Sequence, residues 1–232
     1  MKYKRVLLKI SGEALAGPDK MGINQEMVAH VVSQLKNLHE KGLQIGIVVG
    51  GGNFWRGRQG TDMERTTADH MGMLATIINS LALQDALERE GVQTRVQTAL
   101  SIPAVAEPYI LRKALRHFEK GRIVIFACGT GNPYFSTDTG AALRSCEIHA
   151  VALLMAKNID GVYDSDPHKN PNAKKFDHIS YMEVVNRGLT LMDTTSLTLC
   201  KENNIPIIAF ALQEPGSIEK AAAGETIGTL ID

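Results

Sequence analysis

Three stretches of small residues have the composition of anion-binding turns. They read Lys9-Ile10-Ser11-Gly12, Gly50-Gly51-Gly52-Asn53 and Gly129-Thr130-Gly131-Asn132-Pro133, and are called here the first, second and third glycine turns. Glycine lets the backbone approach a ligand closely and point its N–H groups at anionic oxygens. A helix that begins after such a turn adds about half a positive charge at its N-terminus. We therefore expect these turns to hold phosphate groups, the alternative being three tight turns without a ligand.

The familiar phosphate-binding motifs are absent from the sequence. The motif GxxxxGK[ST] does not occur, because the chain contains no Gly-Lys pair. The motif GxGxxG fails in the second turn, where Trp55 stands at the third glycine position, and in the third turn, where Tyr134 stands there. The sequence therefore disfavours a P-loop NTPase and a dinucleotide-binding dehydrogenase.

Strands and amphipathic helices alternate along the chain, and they must position the glycine turns. Apolar runs predict strands at 5–10, 43–49, 92–99, 122–128, 149–155, 205–212 and 226–231. Helical spacing predicts helices at 24–41, 69–90, 108–120, 137–147, 181–187, 195–203 and 216–223, and residues 161–177 are predicted to form an ordered surface loop. The alternation indicates an α/β fold with a mostly parallel sheet and helices on both faces, in which ligands bind at the carboxyl ends of strands. No linker or repeat divides the chain, so we predict a single domain, 1–232.

Composition excludes several classes of protein. Lys plus Arg and Asp plus Glu both number 25, so the formal net charge is zero, which argues against a protein that coats nucleic acid or an anionic membrane. Hydrophobic residues make up 44% of the chain, as in ordinary globular proteins. The longest apolar run, 150–156, is far shorter than the about 20 residues of a spanning helix. The three cysteines form no CxxC and the histidines no HExxH, so we expect a cytoplasmic protein with reduced thiols and no zinc site.

Five motifs occur together in one order, and they carry a resemblance to a known family. They are Lys9-Ile10-Ser11-Gly12-Glu13-Ala14-Leu15, Gly50-Gly51-Gly52-Asn53 with Arg56-Gly57, Asp69-His70-Met71-Gly72-Met73, Gly129-Thr130-Gly131-Asn132-Pro133, and Asp160-Gly161-Val162-Tyr163 with Asp166-Pro167. From Lys4 to the C-terminus the chain resembles the bacterial uridylate kinases (UMP kinases), members of the amino acid kinase superfamily. The resemblance implies a three-layer αβα sandwich and transfer of the ATP γ-phosphoryl group to UMP with Mg²⁺, in pyrimidine nucleotide biosynthesis. It also implies a homohexamer that GTP activates and UTP inhibits.

The resemblance further implies the roles of individual residues. It places catalysis on Lys9, Arg56 and Asp138. It places ATP on Lys9, Ile10, Ser11, Gly12, Gly52, Arg56, Asn158, Tyr163 and Asp166. It places UMP on Gly51, Asp69, Thr130, Gly131, Asn132, Pro133, Tyr134, Phe135, Ser136 and Thr137. The N-terminal part of the domain would thus bind mainly UMP and the C-terminal part mainly ATP.

Several of these positions also have a purely structural interpretation. Asp69 precedes the predicted helix at 69–90, and a helix N-cap is an alternative to a contact with the ribose hydroxyls. The stretch around Asn158 is one residue shorter than in many relatives, so Lys157 is the alternative contact to adenosine. We interpret Asp193 as structural. The segment 17–22 aligns with the region tied to GTP activation but departs from the expected form, and the helix at 69–90 would pack either between subunits or inside the monomer.

Two other functions fit the same fold. The acceptor could be glutamate, aspartate, carbamate or an isoprenoid phosphate, although the segment 130–137 favours UMP. The chain could instead be a nucleotide sensor or storage protein. A pure binder has no need to keep Lys9, Arg56 and Asp138 together, so the joint presence of the three residues favours an enzyme.

Overall fold

A nine-stranded sheet forms the centre of the molecule. The computed structural model describes residues 2–55, 62–167, 169–189 and 191–232, and within them the strand order is β4-β3-β5-β2-β1-β6-β10-β11-β9. The strands of the sheet are β1 (Arg5–Ile10), β2 (Gln44–Val49), β3 (Thr94–Thr98), β4 (Glu107–Pro108), β5 (Ile123–Ala127), β6 (Leu153–Lys157), β9 (His178–Ile179), β10 (Ile207–Ala211) and β11 (Thr229–Ile231). Every pairing is parallel except the one between β10 and β11, so the predicted mostly parallel sheet is confirmed.

Helices cover both faces of this sheet, as the alternation of elements predicts. They are α1 (Gly12–Leu15), α2 (Gln25–Glu40), α3 (Arg65–Arg89), α4 (Leu111–Glu119), α5 (Thr137–Glu147), α6 (Tyr181–Asn186), α7 (Thr194–Glu202) and α8 (Ser217–Ala223). Successive residues of a strand point to opposite faces. Val6, Leu8 and Ile10 of β1 therefore pack with α2, α3 and α8, whereas Leu7 packs with α4, α5 and α7. Among the described residues, no helix has the length and apolar character needed to cross a membrane.

The long helix α3 begins earlier than the sequence predicts. It starts at Arg65, and Glu64 is its N-cap, accepting hydrogen bonds from the backbone N–H groups of Thr66 (2.9 Å) and Thr67 (2.8 Å). Asp69 therefore lies inside the helix, and the interpretation of Asp69 as an N-cap is wrong. The helix start is hard to see in the sequence because the first three residues of α3, Arg65, Thr66 and Thr67, are polar.

Other predictions from the sequence are also wrong in detail; the strand predicted at 149–155, for example, runs from Leu153 to Lys157. Pro108 does not begin α4; it lies in the short strand β4, which pairs with β3, and the helix starts at Leu111. The predicted loop 161–177 contains a two-stranded ribbon, in which β7 (Val162–Tyr163) pairs with β8 (Lys175–Phe176). Strands of two residues are too short to show a period, so the pattern could not reveal either element.

Asp193 joins two helices that pack on one face of the sheet. It caps α7 by accepting a hydrogen bond from the backbone N–H of Ser196 (2.9 Å), and it accepts further hydrogen bonds from Thr139 Oγ1 (3.0 Å) and Ser136 Oγ at the start of α5. Burial disfavours the charged carboxylate, but the hydrogen bonds from Ser136, Ser196 and Thr139 outweigh burial and lower the pKa of Asp193. The ionised carboxylate thus fixes where α5 begins.

The substitution Asp193→Asn is expected to destabilise the fold in a pH-dependent way. Because the pKa of Asp193 is lower in the folded chain than the about 3.9 of an unfolded aspartate, its contribution is complete above that value and is lost as the pH falls through the folded pKa. We expect the free energy of unfolding, measured in urea, to drop by about 1–3 kcal/mol at pH 7 and the difference from wild type to shrink below pH 4.

The matched control is Asp85→Asn, since the Asp85 side chain is 67% exposed and pairs with Arg89 on the helix surface. It should change stability by less than about 0.5 kcal/mol. A destabilisation by Asp193→Asn that is equally large at pH 7 and pH 3 would contradict the assigned charge state.

Candidate active site

Two adjoining cavities open on the edge of the sheet where the parallel strands end. The larger, about 850 Å³, is lined by the second and third glycine turns, by α3 and by the start of α5. The smaller, about 380 Å³, is lined by Lys157, residues 161–167 and residues 187–189. The two cavities share Gly188, Leu189 and Leu191 in their walls. Two ligands could therefore bind side by side.

The third glycine turn delivers the N-terminus of α5 to the larger cavity. Cys128, Gly129, Gly131 and Tyr134 all have positive φ (65°, 55°, 79° and 72°), which folds the chain back sharply after β5. Ser136 then caps α5 by accepting a hydrogen bond from the N–H of Thr139 (3.1 Å). The first residues of this helix line the cavity, so its N-terminal N–H groups and dipole favour a bound anion there.

A buried cluster of charged side chains lies between the cavities. Lys9 Nζ is 2.7 Å from Asp138 Oδ1, and Lys157 Nζ is 3.9 Å from Asp138 Oδ2. Asp138 Oδ1 is buried and accepts no hydrogen bond from the described residues. Its negative charge is instead compensated by the ammonium group of Lys9. Asp138 lines the larger cavity and Lys157 the smaller one, which puts this cluster at their junction.

The environment of Lys157 opposes its positive charge. Burial lowers the pKa of this ammonium group; the carboxylates of Asp138 and Asp193 counter that effect, and the nearby Lys9 reinforces it. Lys157 Nζ also donates a hydrogen bond to the carbonyl of Leu191 in the wall that the cavities share. A polyanionic ligand bound at the junction would favour the charged form of Lys157, because a nearby opposite charge raises the pKa of an amine.

Asp69 connects α3 to the third glycine turn. Its Oδ2 atom accepts a hydrogen bond from the backbone N–H of Tyr134 (2.8 Å) and lies 2.7 Å from Arg65 Nε. The Arg65 guanidinium also lies 5.1 Å from the centre of the Tyr134 ring. These contacts hold the rim of the larger cavity, where Tyr134 and Phe135 remain 66% and 51% exposed.

In the first and second glycine turns, two positions have no room for a side chain, whether or not a ligand is bound. A Cβ atom on Gly12 would lie 2.5 Å from the carbonyl oxygen of Gly50, so the first and second turns touch through their backbones. A Cβ atom on Gly51 would lie 2.8 Å from the carbonyl oxygen of Gly72 and equally close to Ala75 Cβ, both in α3. Side chains at these positions would push the turns away from each other or from the helix.

The wall of the smaller cavity depends on an oriented tyrosine. Tyr163 donates a hydrogen bond from its hydroxyl to Asp160 Oδ1 (2.7 Å), and Lys175 Nζ lies 2.9 Å from Asp160 Oδ2. Burial disfavours the charged form of Asp160, but the hydrogen bonds from Lys175 and Tyr163 lower its pKa. These contacts hold the ribbon of β7 and β8 so that Tyr163 lines the cavity.

Most of the residues that the sequence predicts come together at this edge. The larger cavity is lined by Gly51, Gly52, Asp69, Thr130, Asn132, Tyr134, Phe135, Ser136, Thr137 and Asp138. The smaller cavity is lined by Tyr163 and Asp166. Neither cavity is lined by Lys9, Ile10, Ser11, Gly12, Gly131 or Pro133, although Lys9 reaches Asp138 and the first turn touches the second.

Two predicted contacts stand apart from this group. Asn158 lines neither of these cavities; its Oδ1 accepts a hydrogen bond from Gln213 Nε2 (2.9 Å), whereas Lys157, the alternative, lines the smaller one. Arg56 falls in 56–61, outside the residues that the structure describes.

Several cavity residues are not among the predicted site residues, among them Trp55, Arg65 and Thr76. Arg65 carries a signal that could have been used, since it stands four residues before Asp69 and such pairs meet on a helix. Thr76 carries none, because its partner is 52 positions away in the sequence.

Comparison with known proteins identifies the family. The model of the amino acid kinase family matches residues 4–210. A solved UMP kinase from Bacillus anthracis is 38% identical, with 100% of this chain and 97% of that chain covered and a TM-score of 0.96. A UMP kinase from Ureaplasma parvum is 39% identical over the full length of both chains with a TM-score of 0.94. A uridylate kinase from Archaeoglobus fulgidus is 26% identical over 98% of this chain and 99% of that chain, with a TM-score of 0.75. The chain belongs to the amino acid kinase family.

Proposed function

We propose that this chain transfers the γ-phosphoryl group of ATP to UMP, giving UDP and ADP, as a step of pyrimidine nucleotide biosynthesis in the cytoplasm. Two UMP kinases match it along its whole length at 38% and 39% identity. The observation that carries the proposal is the charged cluster of Lys9, Asp138 and Lys157 at the junction of two cavities. A phosphoryl transfer enzyme needs basic side chains such as these lysines where two anionic substrates meet.

The larger cavity is the proposed UMP site. Thr130 and Asn132 offer donors and acceptors that suit the edge of a uracil ring, and the Asp69 carboxylate suits the ribose hydroxyls. The phosphate of UMP would lie at the N-terminus of α5, near Thr137 and Gly51. Gly131, Pro133, Tyr134, Phe135 and Ser136 would shape the same segment.

The smaller cavity is the proposed site of the ATP nucleoside. Tyr163 and Asp166 line it, and Lys157 replaces Asn158 as the contact that we favour. The ATP phosphates would extend towards Gly52 and the first turn, from Lys9 to Gly12, with Arg56 as a phosphate clamp. Since residues of the larger cavity come mainly from 51–138 and those of the smaller from 157–191, the two halves of the domain would divide the substrates.

The proposed reaction needs no base to activate the acceptor, because the attacking oxygen of UMP already carries negative charge. The enzyme's task is to hold two anions in line and to offset their repulsion. Lys9 would neutralise charge on the transferring phosphoryl group, exchanging part of its contact with Asp138 for phosphate oxygens. Asp138 would keep Lys9 and Lys157 in place, since its carboxylate lies within reach of both.

Mg²⁺ would accompany ATP in this proposal. In the described residues no three His, Cys, Asp or Glu side chains are grouped as metal ligands. Mg²⁺ in kinases usually binds through substrate phosphates with one or two carboxylates, and Asp138, which lines the larger cavity, is a carboxylate that fits this role. When bound, the ion would neutralise phosphate charge in addition to the lysines.

A homohexamer regulated by GTP and UTP completes the proposal. Leu74 and Ile78 are four residues apart on α3, and both are 48% exposed, which suits a contact between subunits.

The segment 17–22 contacts the second glycine turn, because Asn53 Nδ2 donates a hydrogen bond to the Gly22 carbonyl (2.6 Å) and the Gly22 N–H donates one to the Asn53 carbonyl (3.0 Å). GTP acting through this segment could therefore alter the active site.

An acceptor panel tests the proposed reaction. With ATP and Mg²⁺, we expect ADP release with UMP and little with glutamate, aspartate, carbamate or isopentenyl phosphate, because the larger cavity presents both an anion site and groups for a base edge. ADP release with another acceptor and none with UMP would contradict the proposal, and binding of UMP without any ADP would indicate a sensor. Parallel assays with GTP and UTP test the regulation.

Removal of Lys9 is expected to abolish most of the turnover. We expect Lys9→Ala to lower kcat by about 10²–10³-fold, the typical cost of one preorganised donor, and Arg56→Ala to do the same. The control is Lys36→Ala, which breaks an exposed ion pair of Lys36 with Glu90 and should leave kcat unchanged. Near-wild-type turnover of folded Lys9→Ala would refute the role of Lys9.

Charge placed on the exposed face of α3 is expected to disrupt the oligomer. Leu74→Glu and Ile78→Glu should each lower the mass measured by analytical ultracentrifugation, since a carboxylate in an apolar interface is costly to desolvate. The control is Met182→Glu on α6, where Met182 is similarly exposed at 45%. An unchanged mass for both α3 variants, or a monomeric wild type, would argue against this interface.

A further inference from the structure

Two buried polar side chains of α3, both outside the sequence motifs, reach the glycine turns. Thr76 is 4% exposed and Asn79 is fully buried. They stand three residues apart, so they point to the same side of the helix. A buried polar group is costly unless it is hydrogen-bonded, and the partners of these two are the second and third glycine turns.

Asn79 holds the second glycine turn. Its Nδ2 group donates hydrogen bonds to the Gly50 carbonyl and to Asn53 Oδ1, both at 2.7 Å. Asn53 Nδ2 donates in return to Asn79 Oδ1 (2.9 Å), which makes a reciprocal pair of amides in the protein interior. The turn is thus fixed at both its first and its last residue.

Thr76 holds the start of the third glycine turn. Its Oγ1 atom accepts a hydrogen bond from the backbone N–H of Cys128 (2.8 Å) and donates one to the Met73 carbonyl (2.6 Å). Cys128 has a φ of +65°, a conformation that costs a non-glycine residue energy unless its surroundings impose it. The threonine hydroxyl supplies part of that constraint.

The spacing of the two side chains matches the spacing of the two turns. The strands β2 and β5 that end in these turns are direct neighbours, and neighbouring strands lie about 4.8 Å apart. Residues three apart on a helix face have Cβ atoms about 5–6 Å apart. Gly51 also packs directly against Gly72 and Ala75 of α3, so the helix sets how the second turn lies relative to the third.

We propose that Thr76 and Asn79 are positioning residues, which fix the second and third glycine turns relative to each other and so align the two phosphate groups for transfer. The inference rests on the proposed kinase reaction, because it gives a catalytic meaning to the distance between the turns. A misplacement of about 1 Å can cost 10²-fold in rate, so loss of either anchor should reduce turnover more than substrate binding.

The test compares Thr76→Val with Thr76→Ser. Valine keeps the shape but removes the oxygen that Cys128 needs, whereas serine restores that oxygen. We expect Thr76→Val to lower kcat for UDP formation roughly 10–100-fold, with the KM for UMP changed less than about threefold, and Thr76→Ser to keep kcat within about threefold of wild type. The fold-loss of kcat in the double variant Thr76→Val with Asn79→Ala should be smaller than the product of the losses in the two single variants. The reason is that both substitutions act on the same distance, the one between the second and third glycine turns.

The matched control is Ser80→Ala. Ser80 is fully buried in the same helix, but among the described residues its Oγ donates to the Thr76 carbonyl within α3 and to neither turn. It should therefore leave kcat unchanged, because neither turn loses a hydrogen bond. Equal losses of kcat in Ser80→Ala and Thr76→Val would show general structural damage and overturn the proposal.

A folded Thr76→Val with kcat within threefold of wild type would also overturn the proposal, and so would fully multiplicative losses in the double variant. If Thr76→Val does not fold, Thr76→Ala removes the same oxygen and is judged by the same criteria. Failure of both to fold would make Thr76 a folding determinant and refute the positioning role. If wild type forms no UDP, the proposed function itself fails, a result that needs no variant to detect.

Discussion

A buried ammonium group at the end of the central strand is the interaction on which the site depends. Taking an unpaired charge out of water costs several kcal/mol, so Lys9 on β1 requires a carboxylate nearby. Asp138 supplies it at 2.7 Å, and Asp138 can do so only because α5 begins at Thr137. That start is set by the Ser136 cap and by Asp193, which ties α5 to α7. One ion pair thus links the middle of the sheet to the helix layer beside it.

The second constraint is that the glycine turns must lie close to one another without side chains to hold them. Gly12 meets the backbone of Gly50, and Gly51 meets α3, at distances that leave no room for a Cβ atom. The anchoring groups therefore come from elsewhere, and α3 provides them as polar side chains within a buried face. The same helix presents apolar residues to solvent on its other side. A contact between subunits at that exposed face would lie one helix diameter from the turns, which offers a physical route by which assembly could influence the site.

The sequence predicts correctly those elements of the fold that depend on contacts between residues close in the chain. The strand β1 and the helix α5 have the predicted bounds, because an apolar run or a helical period is complete in each, and the three glycine turns stand at strand ends as expected. It fails where the determining contact is distant. The strand β4 and the ribbon of β7 and β8 exist only by pairing. The start of α3 is a local feature that is missed for another reason, because its N-cap is Glu64 and glutamate is not among the usual N-cap residues. Thr76, Asn79 and Lys157 acquire their meaning from partners 52, 29 and 34 positions away, respectively, which no local pattern encodes.

The most direct test of this account is a crystal structure of the protein with UMP and a non-hydrolysable ATP analogue. The account predicts UMP in the larger cavity with its phosphate at the N-terminus of α5, and the adenosine beside Tyr163 in the smaller cavity. Lys9 Nζ should lie within hydrogen-bond distance of the terminal phosphate group of the analogue, with the second and third glycine turns still anchored to α3. Phosphates bound away from the junction, with Lys9 paired only to Asp138, would contradict it.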